Sequence, residues 1–303
     1  MFIKDTAVII PTRNRAKKLN SLLKYFVDNK IKFKQFIIVD SSDKENKKYN
    51  LNYLKKLKIK ILNSYPSAAH QRNIGIQKVR KDIKFILFLD DDIVFYKKSF
   101  FYMNITIKEY YSDKKVAGIA FNLINKKKEN NIIKTIKNNY LLNNLSLYSS
   151  NPGKILKSGW HSRIENLKRD TFVEWLYSGA TIYKSKIIKN ERFNTRLGSY
   201  SYLEDLFFSY GLFRNGYKLL ISSNARFGNP NYVERSNFKF GVKEIINRYK
   251  FVKKFKLNKK LFLVLFILRF FKSLFQIFIL KFNYFSRSVG NLYAILIILL
   301  KKL

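Results

Sequence analysis

An uninterrupted apolar run that ends in three carboxylates, residues 85–92 (FILFLDDD), constrains the fold of this chain more than any other segment. Five apolar residues without alternation are typical of a strand buried on both faces of a parallel sheet. In an extended chain alternate side chains share a side, so Asp90 and Asp92 are expected on one side and Asp91 on the other. Open α/β sheets bind ligands at the carboxyl ends of their strands, where these aspartates are predicted to lie.

Two carboxylates that face one spot also predict a cation. Like charges so close raise each other's pKa unless a cation or a cluster of donors compensates them. A hard divalent ion with oxygen ligands, Mg2+ or Mn2+, is the expected compensator. The alternative is an acidic turn or a helix cap, although one cap needs one aspartate rather than three.

The segments before this run alternate between strand and helix patterns. A strand over Thr6 to Ile10 is expected to stop at Pro11, and an apolar helical face follows between Leu19 and Phe26. The run 36–40 (FIIVD) predicts a second strand, which places Asp40 beside Thr12. Ser67 is predicted to cap a helix over residues 68–76. Such alternation predicts a mostly parallel, doubly wound α/β sheet.

The pattern weakens after Asp92 and returns near residue 174. Residues 122–158, rich in Asn and Lys, are interpreted as a variable loop that could recognise an acceptor. Gly179 permits close approach of the backbone to a ligand, or a bulge. A helix over 204–215 is predicted to end at Gly216, before a strand over 217–221.

Composition bounds the class of protein. The 303 residues, 47% of them hydrophobic, suffice for one large α/β domain with an appendage. The net charge of +40 favours anionic partners, although lysines run through every segment rather than forming one stripe. Cysteine is absent, which excludes disulfides and fits a reducing compartment. The N-terminus lacks a signal-peptide pattern, so the catalytic part is expected in the cytoplasm.

The C-terminal region changes character. Leu261 to Leu280 is long enough to cross a bilayer, but Arg269, Lys272 and Gln276 interrupt it in a narrow stripe. Residues 258–303 are therefore predicted to form a strongly apolar, amphipathic helical anchor that lies in the plane of an anionic membrane. The competing interpretation is a core or dimer helix pair.

Several short motifs occur in an order that resembles family 2 glycosyltransferases. They are residues 9–15 (IIPTRNR), 38–40 (IVD), 72–75 (RNIG), 89–92 (LDDD), 178–180 (SGA) and 204–205 (ED). Each piece alone is weak, whereas their order and spacing together are fairly specific. The resemblance covers roughly residues 5–230, with 122–158 as an insertion.

This resemblance implies a GT-A fold, a nucleotide-sugar donor and Mg2+ or Mn2+. It implies Asp205 as the catalytic base and Asp92 as the metal ligand, with Asp90 at the ribose. Other donor contacts fall on Pro11, Thr12, Arg15, Asp40, Arg72 and Asp91, and the acceptor contacts are predicted at Trp175, Gly179, Ala180 and Glu204. Glu204 and Asp205 could instead be structural acids at a helix N-terminus, and Trp175 could be a core residue.

Many relatives carry a histidine after the last core strand that completes the metal site. The comparable stretch here, residues 224–230 (NARFGNP), has none. That departure leaves water, phosphate oxygens or Asn229 as the further metal contact.

The resulting hypothesis is an inverting, metal-dependent glycosyltransferase that acts on a glycan or lipid-linked acceptor in cell-surface polysaccharide or lipopolysaccharide assembly. It is expected to sit peripherally on the cytoplasmic face of the cell membrane. The predicted domains are a catalytic domain over 1–240, with a donor half at 1–121 and an acceptor half at 122–240, and a helical tail over 241–303.

Three alternatives remain open at this point. One is a polyprenyl-phosphate glycosyltransferase of the same fold, whose ionised phosphate acceptor needs no strong base. Another is a basic nucleic-acid-binding protein, suggested only by charge and lacking any recognisable motif, so that no specific nucleic acid is expected. The third is a degenerate, non-catalytic relative acting as a scaffold.

Overall fold

The computed structural model describes residues 2–125, 148–198, 201–230, 236–278 and 283–300. The chain divides into two compact units. The first contains residues 1–126 and 164–231, and the second contains 127–163 and 232–303. The tail predicted over 241–303 thus groups with part of the predicted acceptor half. Whether 122–240 binds the acceptor stays a prediction.

The first unit begins with the predicted β-α-β arrangement. Four parallel strands pair in the order β3-β2-β1-β4, and three helices connect them. The elements are β1 Thr6–Thr12, α1 Ala16–Asp28, β2 Gln35–Asp40, α2 Leu51–Lys56, β3 Ile59–Asn63, α3 Ala68–Gln77 and β4 Phe85–Leu89. Their register places Thr12 opposite Asp40, as predicted.

The sheet continues past β4 with strands of both directions. An antiparallel strand, β8, lies between β4 and β6, and β6 pairs in parallel with β9. The elements are β5 Val94–Phe95, α4 Ser99–Tyr110, β6 Val116–Leu123, β7 Thr171–Val173, β8 Ala180–Lys184, α5 Ser185–Ile188, α6 Glu204–Arg214 and β9 Lys218–Gly228. This mixed α/β architecture confirms the predicted fold class.

Most predicted elements are present, with different ends. Strand β1 continues through Pro11 to Thr12 instead of stopping at the proline. Strand β9 extends to Gly228, well past the predicted end at Ile221. Ser67 caps α3, since its hydroxyl accepts a hydrogen bond from the His70 amide at 3.3 Å. Most of the predicted variable loop, from 126 to 147, lies outside the described residues.

Close packing of a helix on the central strands sets the position of the site. Gly75 in α3 lies against β1, where a Cβ at this glycine would come within 2.4 Å of the Ile9 side chain. In the same helix Gln71, which is buried, donates to the carbonyls of Thr12 at 2.9 Å and Val39 at 2.7 Å. Helix α3 is thereby fixed to the carboxyl ends of β1 and β2.

The second unit is helical, and its helices bury polar groups as well as apolar ones. They are α7 Phe238–Lys254, α8 Lys259–Phe278 and α9 Asn283–Leu300. Helices α7 and α9 approach closely, since a Cβ at Gly241 would lie 2.3 Å from the Arg287 carbonyl oxygen. Arg287 pairs with Glu244 through two contacts of 3.0 and 2.9 Å. Within the described residues, none of the helices is long and apolar enough to cross a membrane.

Candidate active site

Acidic and basic side chains gather at the carboxyl ends of β1 and β4. The chain turns at Asp91 and Asp92, so the alternation expected for an extended strand does not apply there. Arg15, at the start of α1, contacts both residues, with its Nη1 3.2 Å from Asp91 and 3.1 Å from Asp92. Asp90 points elsewhere and pairs with Arg72. The expectation that Asp90 and Asp92 share one side was therefore wrong.

Asp91 is the most enclosed of the three aspartates. It accepts a 2.6 Å hydrogen bond from the Thr12 hydroxyl. Burial raises the pKa of Asp91 to about 6, although Thr12 and Arg15 oppose the shift by favouring the charged form. Thr12, predicted as a nucleotide contact, uses its hydroxyl here to hold Asp91. Its contact with the nucleotide stays a prediction.

Asp92 stands at the open side of the cluster. Its Oδ2 lies 3.1 Å from Arg15 and 3.8 Å from Lys18, and its Oδ1 is 3.4 Å from the side-chain nitrogen of Asn229. Lys18 was not predicted as a site residue. Its spacing of i+3 from Arg15 on the same helix could have indicated it.

Asp40 carries a buried oxygen that lacks a hydrogen bond. Its Oδ1 accepts from the Ser42 amide at 2.8 Å. Its Oδ2 is buried without a hydrogen-bond partner among the described residues, and the Lys47 ammonium lies 3.6 Å away. A buried carboxylate oxygen in this state can accept a hydrogen bond from a ligand. Lys47 had no sequence signal.

Arg72 joins the end of β4 to the start of α6. It is buried, and its guanidinium lies 2.8 Å from Asp90 and 2.5 Å from Glu204. Asp205 is the next residue along α6. One buried cation therefore contacts two carboxyl groups and attracts a third, that of Asp205, so the cluster favours retention of a proton.

Burial raises the pKa values of both acids at the start of α6. The pKa of Asp205 rises to about 6, opposed by a 2.8 Å hydrogen bond from the Leu206 amide. The pKa of Glu204 rises to about 8, with the Arg72 guanidinium opposing the shift. A carboxylate with a pKa near neutrality can accept a proton and later release it, as a general base requires.

The backbone before α6 is strained. Leu203 adopts φ +74° and ψ +11°, a left-handed conformation that a leucine rarely occupies. Its side chain is nevertheless buried. Packing around Leu203 therefore holds the turn that presents Glu204 and Asp205.

One residue of the Arg-Asn-Ile-Gly motif, Asn73, has a structural role. Asn73 exchanges two hydrogen bonds with the backbone of Phe193, at 2.9 and 2.8 Å. The Phe193 ring stacks on Phe208 of α6 at 4.1 Å. Asn73 thus helps to position the helix that carries Asp205. Sequence reasoning missed this role because the two residues are 120 positions apart.

Gly179 is required by its neighbour Asp90. A Cβ at this position would lie 2.5 Å from Asp90 Oδ2, and the Gly179 carbonyl accepts from the Asp90 amide at 2.8 Å. The close approach in this structure is to Asp90, and the predicted approach to a ligand stays a prediction. Ala180 opens β8 opposite Leu89 and is fully buried.

The remaining predicted residues lie farther inside. Pro11 is in β1 opposite Val39. Trp175 has an exposed fraction of only 8%, which leaves little ring surface for a sugar in this structure. Tyr177 packs on Phe227 at 5.5 Å, and its hydroxyl donates to the Phe121 carbonyl. The acceptor role of Trp175 stays a prediction.

Comparison with known proteins shows what this chain is similar to. Residues 7–154 match the family model described as glycosyl transferase family 2. The fold is similar to GalNAc-T7, solved with UDP, GalNAc and Mn2+, at a TM-score of 0.58 and 15% identity over 83% of this chain. It is also similar to the mannosyltransferase PcManGT from Pyrobaculum calidifontis, solved with GDP-Man and Mn2+, at a TM-score of 0.50 and 12% identity over 82% of this chain.

This chain is shorter than those relatives. The alignment spans about half of the GalNAc-T7 chain, 48%, and 63% of the PcManGT chain. No curated protein gives a significant match. The matched family and the shared architecture show that this chain carries a family 2 glycosyltransferase domain with the GT-A fold.

Proposed function

We propose that the protein is an inverting, metal-dependent glycosyltransferase. It moves a sugar from a nucleoside-diphosphate donor to a hydroxyl group of a glycan or lipid-linked acceptor, in the assembly of a cell-surface polysaccharide or lipopolysaccharide. The observation that carries the proposal is the bridge formed by Arg72 between Asp90 and Glu204. This bridge brings the end of the central strand, the expected donor side, next to the candidate base Asp205.

The buried Asp40 supports a donor with a particular kind of base. Within the described part of the chain its Oδ2 lacks a hydrogen bond, although it lies 3.6 Å from the Lys47 ammonium, and it can accept one from a ring N–H group. Uracil and guanine both carry such a group, and the two similar structures were solved with UDP and GDP-Man. We therefore expect a uridine or guanosine diphosphate sugar.

The residues at Asp92 fit a divalent ion that is shared with a substrate. Among the described residues, no group of three or more His, Asp or Glu side chains could hold a metal alone. Asp92 and the amide of Asn229 offer oxygen ligands, since an asparagine amide can present either of its atoms. Mg2+ and Mn2+ accept one or two protein oxygens together with phosphate oxygens. When bound, such an ion would stabilise the charge that grows on the diphosphate.

The chain's own residues supply the other requirements of the reaction. Asp205 accepts the proton of the acceptor hydroxyl while that oxygen bonds to the anomeric carbon. The bond from this carbon to the diphosphate oxygen breaks on the opposite side, so the configuration inverts. Arg15 and Lys18 add positive charge at the edge where the diphosphate is expected.

Thermal shift against nucleoside diphosphates, with and without Mn2+, tests the donor site. A ligand that binds only the folded state raises Tm by mass action. We expect a metal-dependent shift with UDP or GDP that Asp92→Asn abolishes while Tm without ligand is unchanged. An equal shift in wild type and variant would contradict the role of Asp92.

The anomeric configuration of the product, measured by NMR, tests inversion. Retention would overturn the proposed single displacement. Transfer to a polyprenyl phosphate instead of a hydroxyl acceptor would identify the alternative enzyme of the same fold.

A further inference from the structure

The last two helices expose apolar side chains on the outside of the second unit. In α8, Leu263, Val264, Ile267, Leu268 and Phe271 are each between 37% and 61% exposed. These positions form one stripe along the helix, whereas Phe262, Leu265 and Phe266 on the other side are buried. A helix that faces water on one side normally carries polar residues there. Helix α8 is instead apolar on both its buried and its exposed faces.

Helix α9 repeats this arrangement. Its exposed residues Phe285, Val289, Leu292, Leu296 and Leu299 follow one another at intervals of three or four. Three of its polar residues point inward, since Ser288 and Asn291 are buried and Arg287 pairs with Glu244 of α7. Arg287 and Asn291, which continue in α9 the polar stripe that begins at Arg269 in the sequence, therefore face the inside of the helical unit, whereas the exposed residues of α9 are mostly apolar. This distribution suits an apolar environment rather than water.

Lysines surround the start of α8. Lys253, Lys254, Lys256, Lys259 and Lys260 lie within eight residues and are all exposed. Four of them line an open surface depression together with Val252, Leu257 and Asn258, a set that contains no acid. Asn258 caps α8 by accepting from the Leu261 amide at 3.0 Å, so the positive end of the helix dipole adds to their charge.

We propose that α8, α9 and the lysine cluster at residues 253–260 form an in-plane binding surface for an anionic lipid bilayer. The lysine ammonium groups meet the lipid phosphates, and the apolar stripe, which begins one turn later at Leu263, enters the acyl boundary. The anionic lipids of a cytoplasmic leaflet match this charge. The protein is thereby a peripheral membrane protein at that face.

Charge decides between a bilayer and a second copy of the chain. A twofold dimer through the apolar stripes would cover the apolar side chains but would bring no opposite charge to the five lysines of each copy, since the lining of the cluster contains no acid. A bilayer supplies the opposite charge and the apolar layer together. Nucleic acid would match the lysines but leave the apolar stripe without a partner.

Sedimentation of the full chain with vesicles tests this surface. One set contains phosphatidylcholine alone, and the other also contains about 30% phosphatidylglycerol. Binding should be at least about tenfold tighter to the anionic vesicles and should weaken with salt. Replacement of Lys253, Lys256, Lys259 and Lys260 by Gln should reduce it about a hundredfold or more.

A matched control removes the same charge elsewhere. Lys55, Lys56, Lys58 and Lys60 are four exposed lysines in the first unit, and their replacement by Gln should leave vesicle binding within about twofold. Equal loss in both quadruple variants would overturn the proposal, as would equal binding to neutral and anionic vesicles. Circular dichroism shows that each variant is folded.

Variants of the apolar stripe supply the second readout. Ile267→Glu and Leu268→Glu, at exposed positions, should each weaken vesicle binding without changing the oligomeric state. A dimeric wild type that these variants make monomeric, with vesicle binding unchanged, would show that the stripe binds a second copy instead. None of these measurements requires catalytic activity. The proposed membrane-binding surface can therefore be refuted while the proposed enzymatic function is supported, and the enzymatic function can be refuted while the surface is supported.

Discussion

Charge is arranged in opposite ways in the candidate active site and in the C-terminal helices. In the site, acids and bases are enclosed together, and each contact joins specific atoms, as in the bridge from Arg72 to Asp90 and Glu204. From residue 236 to residue 303 the sequence has a single acid, Glu244, against fifteen lysines and arginines. Many of those lysines lie in water. Removal of a single enclosed charge in the site should therefore have a large effect on activity or stability. The surface charges should have a large effect only when several are removed together.

The largest expected effect comes from the candidate base. Asp205→Asn keeps the oxygen that accepts from the Leu206 amide but cannot take a proton, so kcat should fall about a hundred- to ten-thousandfold. Initial-rate kinetics with the preferred donor measures it. Asp28→Asn, at an exposed helix end paired with Lys24, should leave kcat unchanged. Full activity of Asp205→Asn would remove the base from the mechanism and favour an ionised phosphate acceptor.

Removal of the buried cation should have the next largest effect. Arg72→Ala leaves the Asp90 and Glu204 carboxyl groups without their partner, and the free energy of unfolding should fall by about 3 kcal/mol. Urea unfolding measures this change. The control is Arg80→Ala, which breaks an exposed pair with Asp82 and should leave the urea midpoint nearly unchanged. Similar losses in both variants would abolish the distinction between enclosed and surface charge.

The pH dependence of activity tests whether the enclosed Asp205 titrates as the catalytic base. A base works when ionised, and burial has raised the pKa of Asp205 to about 6. The value of kcat/KM should therefore fall about tenfold per unit as the pH drops below about 6. Rates measured between pH 5 and pH 8, with circular dichroism to confirm folding, test it. A flat profile would show that Asp205 does not titrate as the base.

Gly179 tests how tightly the enclosed cluster is packed. In Gly179→Ala the new methyl group would force Asp90 to move, since it would lie 2.5 Å from Oδ2. Donor affinity should weaken about tenfold, as measured by calorimetry. Gly211→Ala is the control, because its Cβ would meet nothing within 4 Å in the interior of α6. That change should raise stability by about 0.5–1 kcal/mol. A harmless Gly179→Ala would mean that Asp90 has room to adjust.

A single surface lysine should give the smallest effect. Lys260→Gln should leave Tm unchanged and weaken binding to anionic vesicles only about fivefold. Vesicle sedimentation beside thermal melting measures both. A larger loss from this one residue than from the other cluster lysines would point to a specific headgroup pocket rather than collective attraction.

The local patterns predicted most of the framework. The apolar run at residues 85–89 forms a strand in which every residue is buried, so the strand could be predicted from the run alone. Ser67 caps its helix through an amide only three residues later in the chain, so this contact could be predicted as well. Strand ends were less predictable. Strand β1 continues through Pro11 because the register with Val39 is maintained there.

Several of the predicted site residues lie together in the structure, although their contacts were not predicted and their roles stay predictions. Motif order indicated Asp90, Arg72 and Glu204, yet their pairing depends on how α3 and α6 pack, which no local pattern contains. Alternation failed at Asp90–Asp92 because the strand had already ended at Leu89. The inward direction of Arg287 and Asn291 also depends on tertiary packing, since a polar stripe alone does not say which face is buried.

The left-handed turn at Leu203 has a consequence for anyone who evolves this protein in the laboratory. Glycine or asparagine accepts a φ of +74° more readily than leucine does, yet a screen for heat resistance should retain leucine, because loss of its buried side chain costs more than the relief of backbone strain returns. The same replacements would release the packed side chain that keeps the first turn of α6 in place. Glycine or asparagine at this position should therefore lower both Tm and turnover, so selection for stability and selection for catalytic rate should keep the same residue.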